Sequence, residues 1–537
     1  MAREHYDVLV IGGGITGAGI ALDARSRGMK TALIEMQDYA AGTSSRSTKL
    51  VHGGLRYLKQ LEFGIVAEVG RERAIVYENG PHVTTPIWML LPIYKGGTFG
   101  ALTTSIGLKL YDFLAAVKRS ERRTMLSRDE TLLKEPLLKR EALRGSGYYV
   151  EYRTDDARLT IEVMKQAAAI GADTLNYAQA ASYCYEGGKL TGVHAVDCIS
   201  GERFRIRARR VINAAGPWAD ELRRLDGSKR GKTLRLTKGV HLVFDGSRFP
   251  LRQSVYFDSP DGRMVFAIPR DGKTYVGTTD TDYQGDIANP TTSRADINYV
   301  LDAARFMFPS LGLSERDVES SWAGLRPLIY QEGKSPSEVS RRDEIIRSDS
   351  GLITIAGGKL TGYRLMAETV VDLAAKELAG DGAGTFPESR TRSLPISGGD
   401  VGGSSGFEAM ISQAVLEGRK LGLPEETAER LARTYGSNVY DIYASLPAIR
   451  QCMSAFRLPL EVGARLWYAV EREMALTPAD FFVRRTGALY FDIEGVRRWK
   501  TEVVQAMAGM LDYSDVQIAS YTEELQRLLR EASTATT

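Results

Sequence analysis

The first 36 residues constrain this chain more than any other stretch. Residues 7–11 (Asp-Val-Leu-Val-Ile) form a short apolar, β-branched run that stops at three glycines, the pattern of a buried parallel strand entering a turn. Residues 16–27 carry small and apolar side chains at helical spacing, and residues 30–35 read as a second strand. A βαβ unit at the start of a chain favours a doubly wound α/β fold. Gly12, Gly14 and Gly17 form GxGxxG directly after the first strand, and Glu35 closes the second strand 18 residues beyond Gly17. Gly12 permits the tight turn, Gly14 lets backbone N–H groups approach a pyrophosphate, and Gly17 allows helix and strand to pack closely. The helix N-terminus, at Ile15 and Thr16, favours the negative charge. Glu35, followed by Met36, can accept hydrogen bonds from an adenosine ribose, and its charge would repel the 2′-phosphate of NADP. The motif leaves FAD and NAD open, and its bland alternative is a glycine turn without a ligand.

Further pieces of the same kind of sheet stand far downstream, at residues 210–213 before Ala-Ala-Gly-Pro-Trp and at 352–356 before Gly-Gly-Lys. Residues 232–285 alternate apolar and polar positions, with Asp-Gly turns at 261–262 and 271–272, the signature of antiparallel hairpins. From about 380 to 406 the composition shifts to Gly, Asp, Ser and Pro, and residues 407–537 carry mainly helical periodicity. The expected organisation is therefore a discontinuous dinucleotide-binding domain (1–75, 150–230, 325–385), a substrate or cap domain (76–149, 231–324), a linker (386–406) and a helical C-terminal domain (407–537).

Composition narrows the classes. A chain of 537 residues holds three or four units at about 150 residues each. The 70 basic and 67 acidic residues give a net charge of only +3, so no global field draws the protein to nucleic acid. Three cysteines (Cys184, Cys198, Cys452) without a CxxC pair suit a reducing compartment. The chain enters its first strand too early for a signal peptide, and lacks a run of about 18 apolar residues that would span a bilayer. No metal site is expected.

Residues 41–58 (Ala-Gly-Thr-Ser-Ser-Arg-Ser-Thr-Lys-Leu-Val-His-Gly-Gly-Leu-Arg-Tyr-Leu) resemble the flavin-contacting segment of aerobic glycerol-3-phosphate dehydrogenases. The resemblance continues, in the family's order, through 154–159 (Thr-Asp-Asp-Ala-Arg-Leu), 213–218 (Asn-Ala-Ala-Gly-Pro-Trp), 277–280 (Gly-Thr-Thr-Asp), 324–328 (Gly-Leu-Arg-Pro-Leu) and 357–364 (Gly-Gly-Lys-Leu-Thr-Gly-Tyr-Arg). It reaches residues 477–492, which open Thr-Pro-Ala-Asp-Phe-Phe-Val-Arg-Arg-Thr-Gly. It implies FAD as cofactor and an α/β chain, α+β overall: a glutathione-reductase-like FAD-binding domain, an antiparallel-sheet substrate domain and a helical C-terminal domain.

On that footing the cofactor-binding residues are Gly12, Gly14, Ile15, Thr16, Gly17, Glu35 and Met36. They continue through the hydroxyl-rich loop of Thr43, Ser44, Ser45, Ser47 and Lys49, then Leu50, His52, Gly53 and Gly54. Ala214, Ala215, Gly216 and Trp218 follow, with the turn of Gly358, Lys359, Leu360 and Thr361. Backbone N–H groups of this last turn can face the flavin's pyrimidine oxygen. Oxidising sn-glycerol 3-phosphate to dihydroxyacetone phosphate needs cations for the phosphate, for which Arg56, Arg326, Lys359 and Arg341 are the candidates, with Arg342 an adjacent alternative to Arg341. Tyr57, Thr278 and Thr279 can add hydroxyl contacts. Arg326, Lys359 and His52 are the expected catalytic groups. His52 reads equally well as general base and as flavin-orienting ring. Of the other histidines, His5 precedes the first strand, His82 sits beside Pro81, and His194 and His241 lie in strand-like segments.

The family implies a membrane quinone as electron acceptor, with the protein cytoplasmic and peripheral on the cytoplasmic face of the membrane. Apolar residues spaced along 99–117 suit an amphipathic helix, either buried or in shallow membrane contact. The rival enzyme is an alpha-glycerophosphate oxidase, which reduces oxygen instead; the insertion some such oxidases carry is not seen between 285 and 320. An amino-acid oxidase or demethylase fits the Arg and Lys cluster less well, and a sensor without turnover fits the complete substrate blocks less well. A homodimer is compatible with the sequence.

Overall fold

A computed structural model describes residues 1–52, 63–97, 110, 121–331, 343–357 and 359–535. The expected βαβ unit is present: strand His5–Ile11, helix Ile15–Ser26 and strand Thr31–Ile34, the two strands parallel and buried. Strand Arg203–Asn213 pairs parallel to the other side of His5–Ile11 and in turn with Ile353–Ala356, while Asp173–Leu175 extends the far edge. Strands from distant parts of the chain thus lie side by side, and their C-terminal ends open on one edge, where ligands bind in doubly wound sheets. Ala178–Glu186 and Lys189–Asp197 form an antiparallel flap on this sheet, and Glu344–Arg347 closes its other edge antiparallel.

A second sheet, of ten strands among the described residues, carries the expected hairpins. Ser254–Asp258, Met264–Arg270 and Lys273–Gly277 follow one another antiparallel, and Asp271 and Gly272 take φ of +51° and +77° in the tight turn. Such positive angles at both central residues match the right-handed twist of the flanking strands. The sheet is not purely antiparallel, because Ser254–Asp258 runs parallel to Thr84–Tyr94. The longest pairing joins Lys232–Asp245 to Val318–Gln331, so an expected domain boundary at 325 falls inside a strand. The boundary at 150 likewise falls inside strand Leu143–Thr154.

Of residues 386–406, read from composition as a linker, 386–402 hold no helix or strand but are packed, and 403–406 open a helix. Ile396 is buried and its N–H donates to the Asn79 carbonyl at 3.0 Å, and a Cβ on Gly399 would lie 2.1 Å from that same oxygen. Glycine here permits close backbone approach rather than flexibility. The helical region follows from Gly403–Lys420 to Asp515–Ser533, interrupted by the π-helical turn Asp480–Arg485. It packs on the second sheet through Trp322, whose ring lies 5.4 Å from Tyr490 and 5.7 Å from Phe491 between centroids. The 99–117 stretch lies outside the described residues apart from Leu110. Among the described residues no helix is long and apolar enough to cross a membrane.

Candidate active site

One cleft runs between the two sheets, lined by residues drawn from 11–16, 35–36, 41–52, 178–180, 214–222, 239–241, 324–327 and 357–361. At one end lies the glycine turn. Gly12 has a φ of +118°, and a Cβ there would sit 2.5 Å from the Ala214 carbonyl oxygen; a Cβ on Gly17 would sit 1.8 Å from the Gly12 oxygen. Neither position tolerates a side chain, and Gly17 acts by packing, away from the cleft. Gly14 is the N-cap of helix Ile15–Ser26, and no side chain of its own caps that end. A Cβ on Gly14 would point towards Ser44 Oγ at 3.0 Å. Ser44 Oγ accepts from the Ile15 N–H at 2.9 Å, so the loop and the helix start are joined across the cleft floor.

Glu35 faces the same end beside Met36, Ala178 and Gln179. Its carboxylate accepts from the Gly13 N–H at 2.7 Å and the Gln37 N–H at 2.9 Å. Burial raises its pKa, against the pull of those two amides. A helix N-terminus whose own N-cap is a glycine, a floor on which a Gly14 side chain would intrude, and an amide-anchored acid beyond it together fit a pyrophosphate with an attached ribose. Ala214, Ala215, Gly216 and Trp218 line the opposite wall.

The hydroxyl-rich loop divides in two. Thr43, Ser44 and Ser47 line the cleft. Thr43 Oγ1 donates to the Leu325 carbonyl at 2.7 Å, and Ser47 gives both N–H and Oγ to Asp156 Oδ2 at 2.9 and 2.7 Å. Ser45 and Lys49 instead turn into the core. Lys49, only 4% exposed, pairs its ammonium with Asp156 and donates to the Ser45 carbonyl at 3.0 Å. Lys49, expected among the cofactor-binding residues, thus does not line the cleft, and a buried carboxylate claims its ammonium. Asp156 comes from the 154–159 block, whose role is to hold this loop.

At the other end stand Leu50, His52, Arg326, Lys359, Leu360 and Thr361. Thr361 Oγ1 accepts from the His52 N–H and donates to the His52 carbonyl, each at 3.1 Å, locking the two segments together. The His52 ring meets Phe266 edge-on at 5.9 Å. Burial, then the nearby Lys359 and Arg73 cations, push its pKa down to about 4, so the imidazole is neutral at neutral pH. Arg326 extends from strand Val318–Gln331. Its Nη2 donates to Thr278 Oγ1 at 3.1 Å, and its Nη1 donates to the Thr279 carbonyl and the Asp280 carboxylate, each at 3.3 Å. Thr278 and Thr279, expected as hydroxyl contacts for substrate, do not line the cleft; Thr278 orients Arg326, and the buried Thr279 bonds the Lys238 carbonyl and Val240 N–H.

Several lining residues were absent from the expected site. His241 stacks on Trp322 at 4.7 Å and 10°, with Nε2 3.0 Å from Thr48 Oγ1. A Cβ on Gly277 would fall 2.2 Å from its ring, so that glycine makes the room. Burial first, then Arg326 and Lys49, hold its pKa well below the usual histidine value. Arg46 also lines the cleft, donating to the Ala288 carbonyl at 3.2 Å. Gly239 and Gly324 face each other across paired strands; a Cβ on the first would meet Arg326 Nη2 at 2.7 Å, one on the second the Arg46 oxygen at 2.2 Å. Glycine inside a strand signals close approach, and this pair was the available signal. Gly53, Gly54, Arg56, Tyr57, Arg341 and Gly358 lie outside the described residues.

Comparison with known proteins accords with this geometry. The FAD-dependent oxidoreductase family matches residues 7–372, and the C-terminal domain of alpha-glycerophosphate oxidase matches residues 389–518. The chain is 58% identical over 532 residues to the aerobic glycerol-3-phosphate dehydrogenase of Bacillus subtilis, covering 99% of this chain and 96% of that one. It is 57% identical over 534 residues to the Staphylococcus aureus enzyme of the same name, with the same coverage. The crystal structure of the Bacillus halodurans glycerol-3-phosphate dehydrogenase complexed with FAD superposes with a TM-score of 0.87 at 49% identity, covering 100% of this chain and 97% of that one. Cleft, helical extension and sequence together place the chain in the aerobic glycerol-3-phosphate dehydrogenase family of FAD-dependent oxidoreductases.

Proposed function

We propose that this protein oxidises sn-glycerol 3-phosphate to dihydroxyacetone phosphate and passes the electrons to a membrane quinone, working from the cytoplasmic face of the membrane. What supports the reading is that Arg326, Lys359 and the neutral His52 all line the FAD cleft, with Lys359 close enough to His52 to help lower its pKa. FAD supplies the two-electron acceptor for the hydride leaving C2 of the substrate.

A phosphate monoester near neutral pH carries close to two negative charges, which a guanidinium fork and an ammonium recognise better than neutral donors. Arg326 is held for this by Thr278 and Asp280. Lys359, beside Leu360 and Thr361, is the second cation. The hydroxyl proton of C2 passes to a ring nitrogen of His52, which is unprotonated over the neutral range; arginine cannot take it, its pKa lying above about 12. A pKa of about 4 makes His52 a weak base before substrate binds. The phosphate's negative charge raises that basicity when substrate binds.

Anaerobic mixing with glycerol 3-phosphate tests the half-reaction: the flavin absorbance is expected to bleach, and an unchanged spectrum rejects it. Reoxidation separates the acceptors. A quinone in detergent or lipid is expected to restore the oxidised flavin much faster than oxygen does. Equal rates with stoichiometric peroxide replace the quinone reading with that of an alpha-glycerophosphate oxidase.

A further inference from the structure

Residues 477–487 (Thr-Pro-Ala-Asp-Phe-Phe-Val-Arg-Arg-Thr-Gly) take no part in the chemistry above, yet they carry deeply buried charge. Arg485 and Asp38 are each 0% exposed. Arg485 Nη1 and Nη2 donate to the two oxygens of Asp38 at 2.7 and 2.9 Å, a bidentate fork, and Asn176 Nδ2 donates to Asp38 Oδ1 at 3.1 Å. Arg484 bridges Asp38 and Asp480. Opposite charges hold Asp38 ionised against its burial, with a pKa below the usual carboxylate range.

Asp38 stands three residues beyond Glu35, in the turn that shapes one wall of the cleft. Its carbonyl accepts from the Ala41 N–H at 3.2 Å, and the Ala40 N–H donates to the Gly13 carbonyl at 3.0 Å. Glu35, Met36, Ala41 and Gly42 of this turn line the cleft. The adjoining wall, Ala178 to Ala180, is tied to the same place: the Tyr177 N–H donates to the Gln37 carbonyl at 2.9 Å, and Tyr177 Oη donates to Asp480 Oδ1 at 2.7 Å. Both walls around Glu35 are therefore fastened to one turn of the helical region.

A buried ion pair stabilises a fold no better than well-packed apolar residues would, but a bidentate pair fixes orientation, which apolar contact does not. We infer that the helical C-terminal region is a clamp for FAD: Arg485, seconded by Arg484, is a positioning residue that holds the Asp38 turn, and with it the Glu35 wall, in the shape that retains the cofactor. The inference rests on FAD alone and stands whatever the substrate and acceptor prove to be.

The test is the affinity of the apoprotein for FAD, read from flavin fluorescence during titration. Arg485→Met is expected to raise the FAD dissociation constant at least tenfold, with Arg485→Lys in between. Leu446→Ala, which opens a cavity in the helical core away from Asp38, is the control. At a matched loss of thermal stability it is expected to bind FAD within about twofold of the wild type. Should Arg485→Met fail to fold, the double variant Asp38→Asn/Arg485→Met removes both charges together and is measured in its place, with weakened FAD binding again expected. Wild-type affinity in whichever of these two variants is measured overturns the clamp, and so does a Leu446→Ala loss of FAD equal to that of the Arg485 variant.

Discussion

The two ends of the cleft are built by opposite means. Around Glu35 the surface is mostly backbone: Gly12, Gly14 and Ile15 lie within four consecutive residues, and even the acid is fixed by main-chain amides. Around His52 it is side chain, with Arg326, His241, Lys359 and His52 arriving on four separate segments. A backbone cradle depends on what is missing, the Cβ atoms, whereas the substrate end depends on charged and aromatic groups held by partners such as Thr278, Trp322 and Thr361. Damage to the first should remove the cofactor, and damage to the second should spare it.

The largest expected effect breaks the cradle. Gly12→Ala or Gly17→Ala sets a methyl against main-chain oxygen, 2.5 Å from Ala214 in the first case and 1.8 Å from Gly12 in the second. Each should abolish FAD binding, seen as loss of the flavin absorbance from purified protein. Gly14→Ala meets only the tip of the Ser44 side chain, at 3.0 Å, and should retain part of it. Full flavin occupancy in the Gly17 variant would contradict this account of the turn.

Next is His52→Gln. Loss of a general base slows the chemical step by roughly 10²–10⁴-fold with FAD still bound. The pH dependence carries the sign: burial and the Lys359 charge lower the His52 pKa to about 4, so protonation removes the base only at acid pH. The acid limb of kcat/KM that it causes should therefore lie well below the ordinary histidine value of about 6.5, and vanish in the variant. A loss under tenfold, or an acid limb unchanged in His52→Gln, leaves His52 as an orienting ring.

The same contrast explains what the sequence disclosed. The GxGxxG turn and Glu35 are local, their spacing fixed by one strand, one helix and the next strand, so the residues could be named from the chain alone. Lys49 shows where local reading stops, since only folding brings Asp156 beneath it and takes its charge from the cleft. His241 sits mid-strand, where a histidine reads as structural, and only the pairing of Lys232–Asp245 with Val318–Gln331 sets it against Trp322 in the cleft. The Asp-Gly pairs at 261–262 and 271–272 announced their turns correctly because a positive φ is a local demand. The glycines at 398 and 399 were read as linker because close packing against Asn79 and Tyr435 is a distant one.

Arg326→Ala comes third. A hydrogen bond to a charged group contributes about 1.5–3 kcal/mol, or roughly 10–150-fold. The loss should fall on kcat/KM for glycerol 3-phosphate and leave unphosphorylated glycerol nearly unaffected, because the guanidinium is assigned to the phosphate. Equal losses on both substrates move Arg326 away from that group.

The smallest expected effects are the sharpest on the comparison, because one hydroxyl is removed at each end. Ser44 Oγ receives the Ile15 N–H at the start of the helix, and Thr278 Oγ1 receives Arg326 Nη2. Each is a single hydrogen bond: the neutral one from Ile15 contributes about 1 kcal/mol, or roughly fivefold, and the one from the half-exposed, charged guanidinium about 1.5 kcal/mol, or roughly tenfold. Ser44→Ala acts on the floor beneath the pyrophosphate, so it should weaken FAD by the smaller factor while the fully loaded enzyme keeps its KM for glycerol 3-phosphate. Thr278→Val keeps the side chain's shape and removes the acceptor for Arg326 Nη2 together with a donor to the Thr279 carbonyl, so it should raise KM by the larger factor and leave FAD affinity untouched. Measuring both constants on both variants gives a two-by-two pattern with effects on one diagonal. If Thr278→Val loosens FAD, or Ser44→Ala raises KM at saturating FAD, the ends are coupled through the loop of Thr43 and Ser44, which bonds the second sheet at Leu325 and the first helix at Ile15, and their separate construction does not extend to separate energetics.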